Sequence, residues 1–270
     1  MQSSNPVLNR SDAFAPGHGQ AYPGAAPYGQ PAPYGYGGMP PQAPAASRPM
    51  TLDDVIVKTA ITLAVVVAAA AVAWWTVPAT LVTPAFLAGA LVAFAIAMVL
   101  SFSRKVNPAL LMVYAVAEGV FLGIGSKFIA SWTGAGTGIV TQAVLATMVT
   151  AGLTLATYKY FAIKVTPKFT RMVVIGTMGF AGVLLINLVL SLFGVSTGIG
   201  GFGPMGLLFA AIGAGLAVFN LILDFDLVEQ GIRQGAPKNE AWRAAFALTV
   251  TLVWLYWNIL RILAILRGGD

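Results

Sequence analysis

Cysteine is absent from this 270-residue chain, and histidine occurs once, at His18. The first absence excludes disulfides, thiol nucleophiles and cysteine-ligated zinc. The second removes histidine-dependent catalysis and histidine metal ligation from everything beyond the polar N-terminal tail that holds His18. Charge is also scarce. Asp, Glu, Lys and Arg make up 9% of the residues against 58% hydrophobic ones, where a soluble domain carries about 25% charge. The chain therefore reads as an integral membrane protein with several spans, in contact with the lipid bilayer. Fifteen basic residues outnumber nine acidic ones. Nucleic acid is not implied, because the bases lie mainly at the ends of apolar stretches, where they set orientation. No cofactor is expected. The Gly-rich stretch Gly198–Gly203 lacks the Gly-Lys-Ser/Thr that a phosphate-binding loop needs.

Residues 1–50 stand apart by composition. The run from Ala21 to Gly38 is built almost wholly of Pro, Gly, Tyr and Ala. It has too little apolar surface to offset the entropy of ordering, so disorder is expected. No basic start leads into an apolar stretch, as a signal peptide would require. The repeated Pro-Tyr-Gly reads either as a solvated tail or as a docking segment for a membrane protein partner.

Residues 51–270 form the expected seven-helix transmembrane domain, all-α. Thr51 can cap the first helix, and Asp53 and Asp54 suit its positive end. Apolar stretches of about 20 residues, the length needed to cross a bilayer, are expected near Val55–Trp75, Ala85–Ser101, Pro108–Ile129, Gly138–Phe161, Met172–Phe193, Gly203–Glu229 and Trp242–Leu266. Pro84, Pro108 and Pro204 fall at expected starts, where a missing N–H costs least. Lys58 lies a turn inside the first span, where its stem can snorkel to the interface. Trp74 and Trp75 mark the other interface. Small residues at Gly89–Ala93 and Ala210–Ala217 suit close helix packing.

Basic residues alternate between loops. Arg104 and Lys105, then Lys159 to Arg171, then Arg233, Lys238 and Arg243 lie on one side, and only Lys127 lies near a loop of the other. The positive-inside rule makes the basic loops and the tail cytoplasmic. Strict alternation then puts Asp270 outside, although Arg267 leaves a re-entrant last segment open.

Carboxylates inside spans are costly and mark ion paths, proton relays or paired structural sites. Asp224, Asp226 and Glu229 close the sixth apolar stretch, unless the helix has already left the bilayer there. Asp226 and Glu229 share a helical face, and Asp224 points elsewhere. Asp226 is the preferred residue for a central path. Glu118 lies about 16 Å into the third span, near mid-depth, and should face the bundle interior. In the last span Asn258 and Arg261 share a face. Arg261 either meets a carboxylate on another helix, Glu118 or Asp226, or snorkels outward unpaired. A symmetric hairpin about Gly235–Lys238 would set Asp226 nearer Thr249 than Asn258.

Several enzyme classes fail on inventory. A rhomboid-type protease needs a membrane Ser–His pair. A retinal protein needs a lysine in the last span. An intramembrane aspartyl protease needs aspartates on separate helices, and here both lie on one. The chain reads as a non-enzyme.

The order of three motifs, Ala117-Glu-Gly-Val-Phe-Leu-Gly123, Leu221-Ile-Leu-Asp-Phe-Asp226 and Leu252-Val-Trp-Leu-Tyr-Trp-Asn-Ile-Leu-Arg261, in a charge-poor seven-span layout resembles the Bax inhibitor motif family. The resemblance covers about Met50 to Arg267, and Ser3–Asn9 with Thr51–Val55 looks like a bacterial branch. It implies a last helix surrounded by the other six and a calcium-permeable leak pathway in the plasma membrane, gated by pH. It further implies that two carboxylates, on the sixth and seventh helices, share a proton and hold the pore shut. Phe225-Asp226 matches the first position, and Leu255-Tyr-Trp-Asn258 the second. Asn258 thus replaces the second acid, and Asn does not titrate.

The expectation is a calcium leak channel or a regulator of calcium flux. Asp226 is its main acid and the candidate for transient calcium contact, Asn258 the partner, Glu118 an inner acid and Arg261 a counter-charge, with Asp224 the alternative to Asp226. The rivals are a non-conducting protein that modulates membrane proteases or stress responses, and a proton-coupled transporter. Oligomeric state is left open by the sequence.

Overall fold

The computed structural model describes residues 48–161 and 164–268. The expected disorder of the tail falls almost entirely outside these residues. The described chain is seven helices: α1 (Leu52–Thr76), α2 (Val82–Phe102), α3 (Pro108–Thr133), α4 (Thr137–Tyr160), α5 (Pro167–Leu192), α6 (Pro204–Arg233) and α7 (Glu240–Arg267). All seven are long and apolar enough to cross a membrane.

Local chemistry sets the ends. Thr51 and Asp54 form a reciprocal capping box at α1, which satisfies two N–H groups that would otherwise lack partners. Asn107 and Thr166 cap α3 and α5, each followed by a proline at the first helical position. Gly134 ends α3 at φ 65°, a backbone region that side-chain-bearing residues rarely adopt. Pro84 lies inside α2 rather than at its start, which is Val82.

Burial orders the bundle. Of the apolar stretch of α7, 56% is buried, against 11% in α2 and in α5. Side chains of α7 reach every other helix: Trp242 takes Lys58 of α1, Trp257 stacks on Phe86 of α2, Phe246 meets Tyr114 of α3 edge-on, and Trp254 packs on Phe180 of α5. Arg267 donates to Gln142 of α4, and Thr251 donates to Asp224 of α6. The last helix is therefore central. Elsewhere large apolar side chains such as Leu91, Leu153 and Ile186 face outward, as a lipid-facing surface requires.

The tightest approach is between α1 and α3. A Cβ added at Gly119 would overlap the Val66 carbonyl, and one at Gly123 would overlap the backbone of Ala70. The two glycines are four apart, one small-residue ridge. Gly89, expected to serve such packing, stands at ordinary contact distance from Phe121.

The packed chain begins before Thr51. Met50 is buried, its N–H donates to the Ala236 carbonyl, and the Lys238 N–H donates to the Arg48 carbonyl. Residues 48–50 thus pair with the α6–α7 turn as an isolated bridge centred on Pro49 and Pro237.

Candidate functional site

Residues two apart on a helix point roughly 200° apart, so Asp224 and Asp226 cannot both face α7. Asp224 does: Thr251 Oγ1 donates to its Oδ2 at 2.6 Å. Asp226 instead faces α4 and its own helix, 3.3 Å from the Tyr158 hydroxyl and accepting from Gln230 Nε2. The single Tyr158 O–H goes to Glu229, at 2.6 Å. Asp226 and Glu229 therefore share a face, as the spacing implies, and exposed Glu229 also pairs with Arg233 at 3.3 Å.

Asp226 and Asn258 do not meet. Asn258 is buried, donates to the Trp254 carbonyl one turn back, and presses its Oδ1 against the space beside Gly213. Gly213 lies thirteen residues before Asp226, about 20 Å along α6. The register is that of the symmetric hairpin, with position 224 level with 251. That hairpin carries Asn258 well past the acids.

Glu118 is half-buried on α3, with Tyr114 one turn before it. Tyr114 meets Phe246, and Leu122 clusters with Val253. These contacts bracket Glu118 at the level of Thr251 and Asp224. Among the described residues no side chain of another helix hydrogen-bonds to it.

Two bases depart from expectation. Lys58 is buried rather than snorkelled: Nζ donates to the Lys238 carbonyl at 2.8 Å and lies 5.0 Å from the Trp242 ring. The α6–α7 turn reaches down to it, so the ammonium finds its oxygen inside the protein. Arg261 meets neither Glu118 nor Asp226, and it does not turn outward. It is 8% exposed and donates from Nη2 to the carbonyls of Ile199 and Gly201, at 2.9 and 3.3 Å. The α5–α6 link folds over it, which spacing along α7 could not reveal.

Every described carboxylate lies on one half of the bundle or at mid-depth. Asp53, Asp54 and Glu240 open α1 and α7, Glu118 is in mid-α3, and Asp224, Asp226 and Glu229 lie in the last part of α6. In the other half Lys127 donates to the carbonyls of Trp74 and Val77, and Arg267 to Gln142. With Arg261, the three described cations of that half are held by uncharged oxygens. Among the described residues no group of three or more acidic side chains is placed to hold a metal ion.

The partners that sequence reasoning missed are Thr251 and Tyr158. Neither type is rare in apolar helices, and only the hairpin register pointed to Thr251.

A central last helix is what the motif resemblance implies, whereas the α6 acid turned toward it is Asp224 and not Asp226, the residue that the resemblance matched. The sequence profile of the family described as Bax inhibitor 1 like matches residues 5–268, nearly the whole chain. The chain belongs to this family. With seven apolar helices, this Bax inhibitor 1 like protein is a multi-pass membrane protein. No curated protein matches it.

Proposed function

We propose that this protein passes, or regulates the passage of, cations across the bacterial plasma membrane, with calcium as the ion the family resemblance implies. The observation that carries the reading is Asp224, a carboxylate of α6 bonded to Thr251 on the central helix. Glu118 stands at the same level, and Asp226 and Glu229 lie toward the nearer end. Carboxylates set within the spans, such as Asp224 and Glu118, would draw in cations and repel anions locally, apart from the basic loops. Asp224 serves as the gating acid and Asp226 as an outer contact for the ion. Protonation of Asp224 removes the charge at the α6–α7 contact, and through it pH acts on flux. Asn258, which cannot titrate, leaves one acid where the resemblance implies two.

Purified protein in liposomes loaded with a calcium-sensitive dye tests this reading. Calcium entry above that of empty liposomes, changing across a pH series, is the expected result. No flux at any pH would favour the non-conducting role in modulating other membrane proteins.

The excess of basic residues in the loops beside the acidic half supports a cytoplasmic N-terminus. Single cysteines at Ser103, Lys164 and Gly235 should resist an impermeant thiol reagent in intact cells. Labelling of all three from outside would reverse the orientation.

A further inference from the structure

Arg261 lies in the half of the bundle where the described residues include no carboxylate. It is more than nine-tenths buried. A guanidinium carries five N–H donors. Both of its bonds leave from Nη2, and Nη1 and Nε have no partner among the described residues. The side chain lines a cavity of about 350 Å³ whose other walls include Val82, Phe86, Phe128, Phe202 and Trp257. The start of α6 adds to the positive potential. Its first turn has no side-chain cap, and a Cβ at Gly206 would come within 3.5 Å of Nη2. N–H groups at a helix start favour an anion. Carbonyl oxygens supply partial charge only, and a buried cation without a counter-ion is costly.

We propose that this cavity binds a monoanionic amphiphile, its headgroup on the free N–H groups of Arg261 and its apolar body against the aromatic walls. One buried cation matches a single negative charge. The walls other than Arg261 are chiefly aromatic and aliphatic, and they suit a hydrocarbon body rather than a hydrated ion. A fatty-acid carboxylate and the phosphodiester of an acidic phospholipid share this chemistry. The site lies at the opposite end of the bundle from Asp226 and does not depend on cation flux.

The test uses the full-length protein in a neutral sugar detergent, with laurate as probe and native mass spectrometry as readout. Wild-type protein should retain one laurate and should hold the neutral amide of the same chain at least tenfold more weakly. Arg261→Met should weaken laurate at least tenfold. Because that variant also strips the Ile199 and Gly201 carbonyls of their donor, Val82→Trp provides a second arm. It fills the cavity with Arg261 intact and should weaken laurate equally, with melting unchanged. Displacement of laurate by phosphatidylglycerol would identify phospholipid as the source, and its failure to displace would identify the free acid. The proposal is overturned by equal binding of laurate and its amide, by laurate binding that survives both variants, by displacement with equimolar inorganic phosphate, or by no laurate on the wild-type protein.

Discussion

The carboxylates of one half of the bundle and the cations of the other are held in opposite ways. In the half that carries the α6–α7 turn, carboxylates meet side chains that can let go: Asp224 with Thr251, Glu229 with Tyr158 and Arg233. In the other half, cations meet backbone oxygens and one amide, fixed by the fold itself: Lys127 on the end of α1, Arg261 on the α5–α6 link, Arg267 on Gln142. A hydroxyl–carboxylate bond between two helices can exchange for water or a cation as protonation changes. A guanidinium bonded through Nη2 to main-chain carbonyls holds a loop in place. The carboxylates of the first half are therefore placed to respond, and the cations of the second to hold.

The largest expected effect lies in the packing that joins α1 to α3. Gly123→Leu forces a side chain into the backbone of Ala70, so the helices must separate. Overpacking of this kind costs about 3 kcal/mol or more. A thermal melt in detergent should show a large drop or no folded protein. An unchanged melt would mean that this contact does not limit how closely the helices approach.

Arg261→Met should come next. It leaves the carbonyls of Ile199 and Gly201 without their buried donor, at about 1–3 kcal/mol for a buried group left unsatisfied. The same melt should fall, and protease cleavage within residues 194–203 should quicken. If the melt falls and cleavage does not quicken, the arginine is not what holds the link, and the contrast between the two halves weakens.

The seven helices and their order are legible in the sequence because apolar length, capping residues and proline positions are local signals. Span ends came within a few residues, except at α5. There Thr166 and Pro167 begin the helix five residues before Met172, ahead of a charged first turn that reads as loop. The site was legible only in part. The shared face of Asp226 and Glu229 follows from helical period alone. The choice between Asp224 and Asp226 depends on how α6 is rotated against α7, and period cannot supply that rotation. Arg261 and Lys58 were misplaced for one common reason: both find backbone carbonyls in distant turns, and a carbonyl acceptor has no sequence signature. The Gly119–Gly123 ridge lay within a motif that carried the resemblance, yet its contact with α1 needs the partner helix to be seen.

The central claim is that Asp224, not Asp226, couples protonation to the central helix. The direct measurement is dye-reported calcium entry into liposomes across a pH series, for wild-type protein, Asp224→Asn and Asp226→Asn. In the first variant Thr251 can still donate to the amide oxygen of the replacing side chain, so the titration is removed while the contact is kept. The account predicts that Asp224→Asn conducts with a nearly flat pH profile, and that Asp226→Asn keeps the wild-type profile at altered amplitude. A wild-type profile in Asp224→Asn together with a flat one in Asp226→Asn would contradict it.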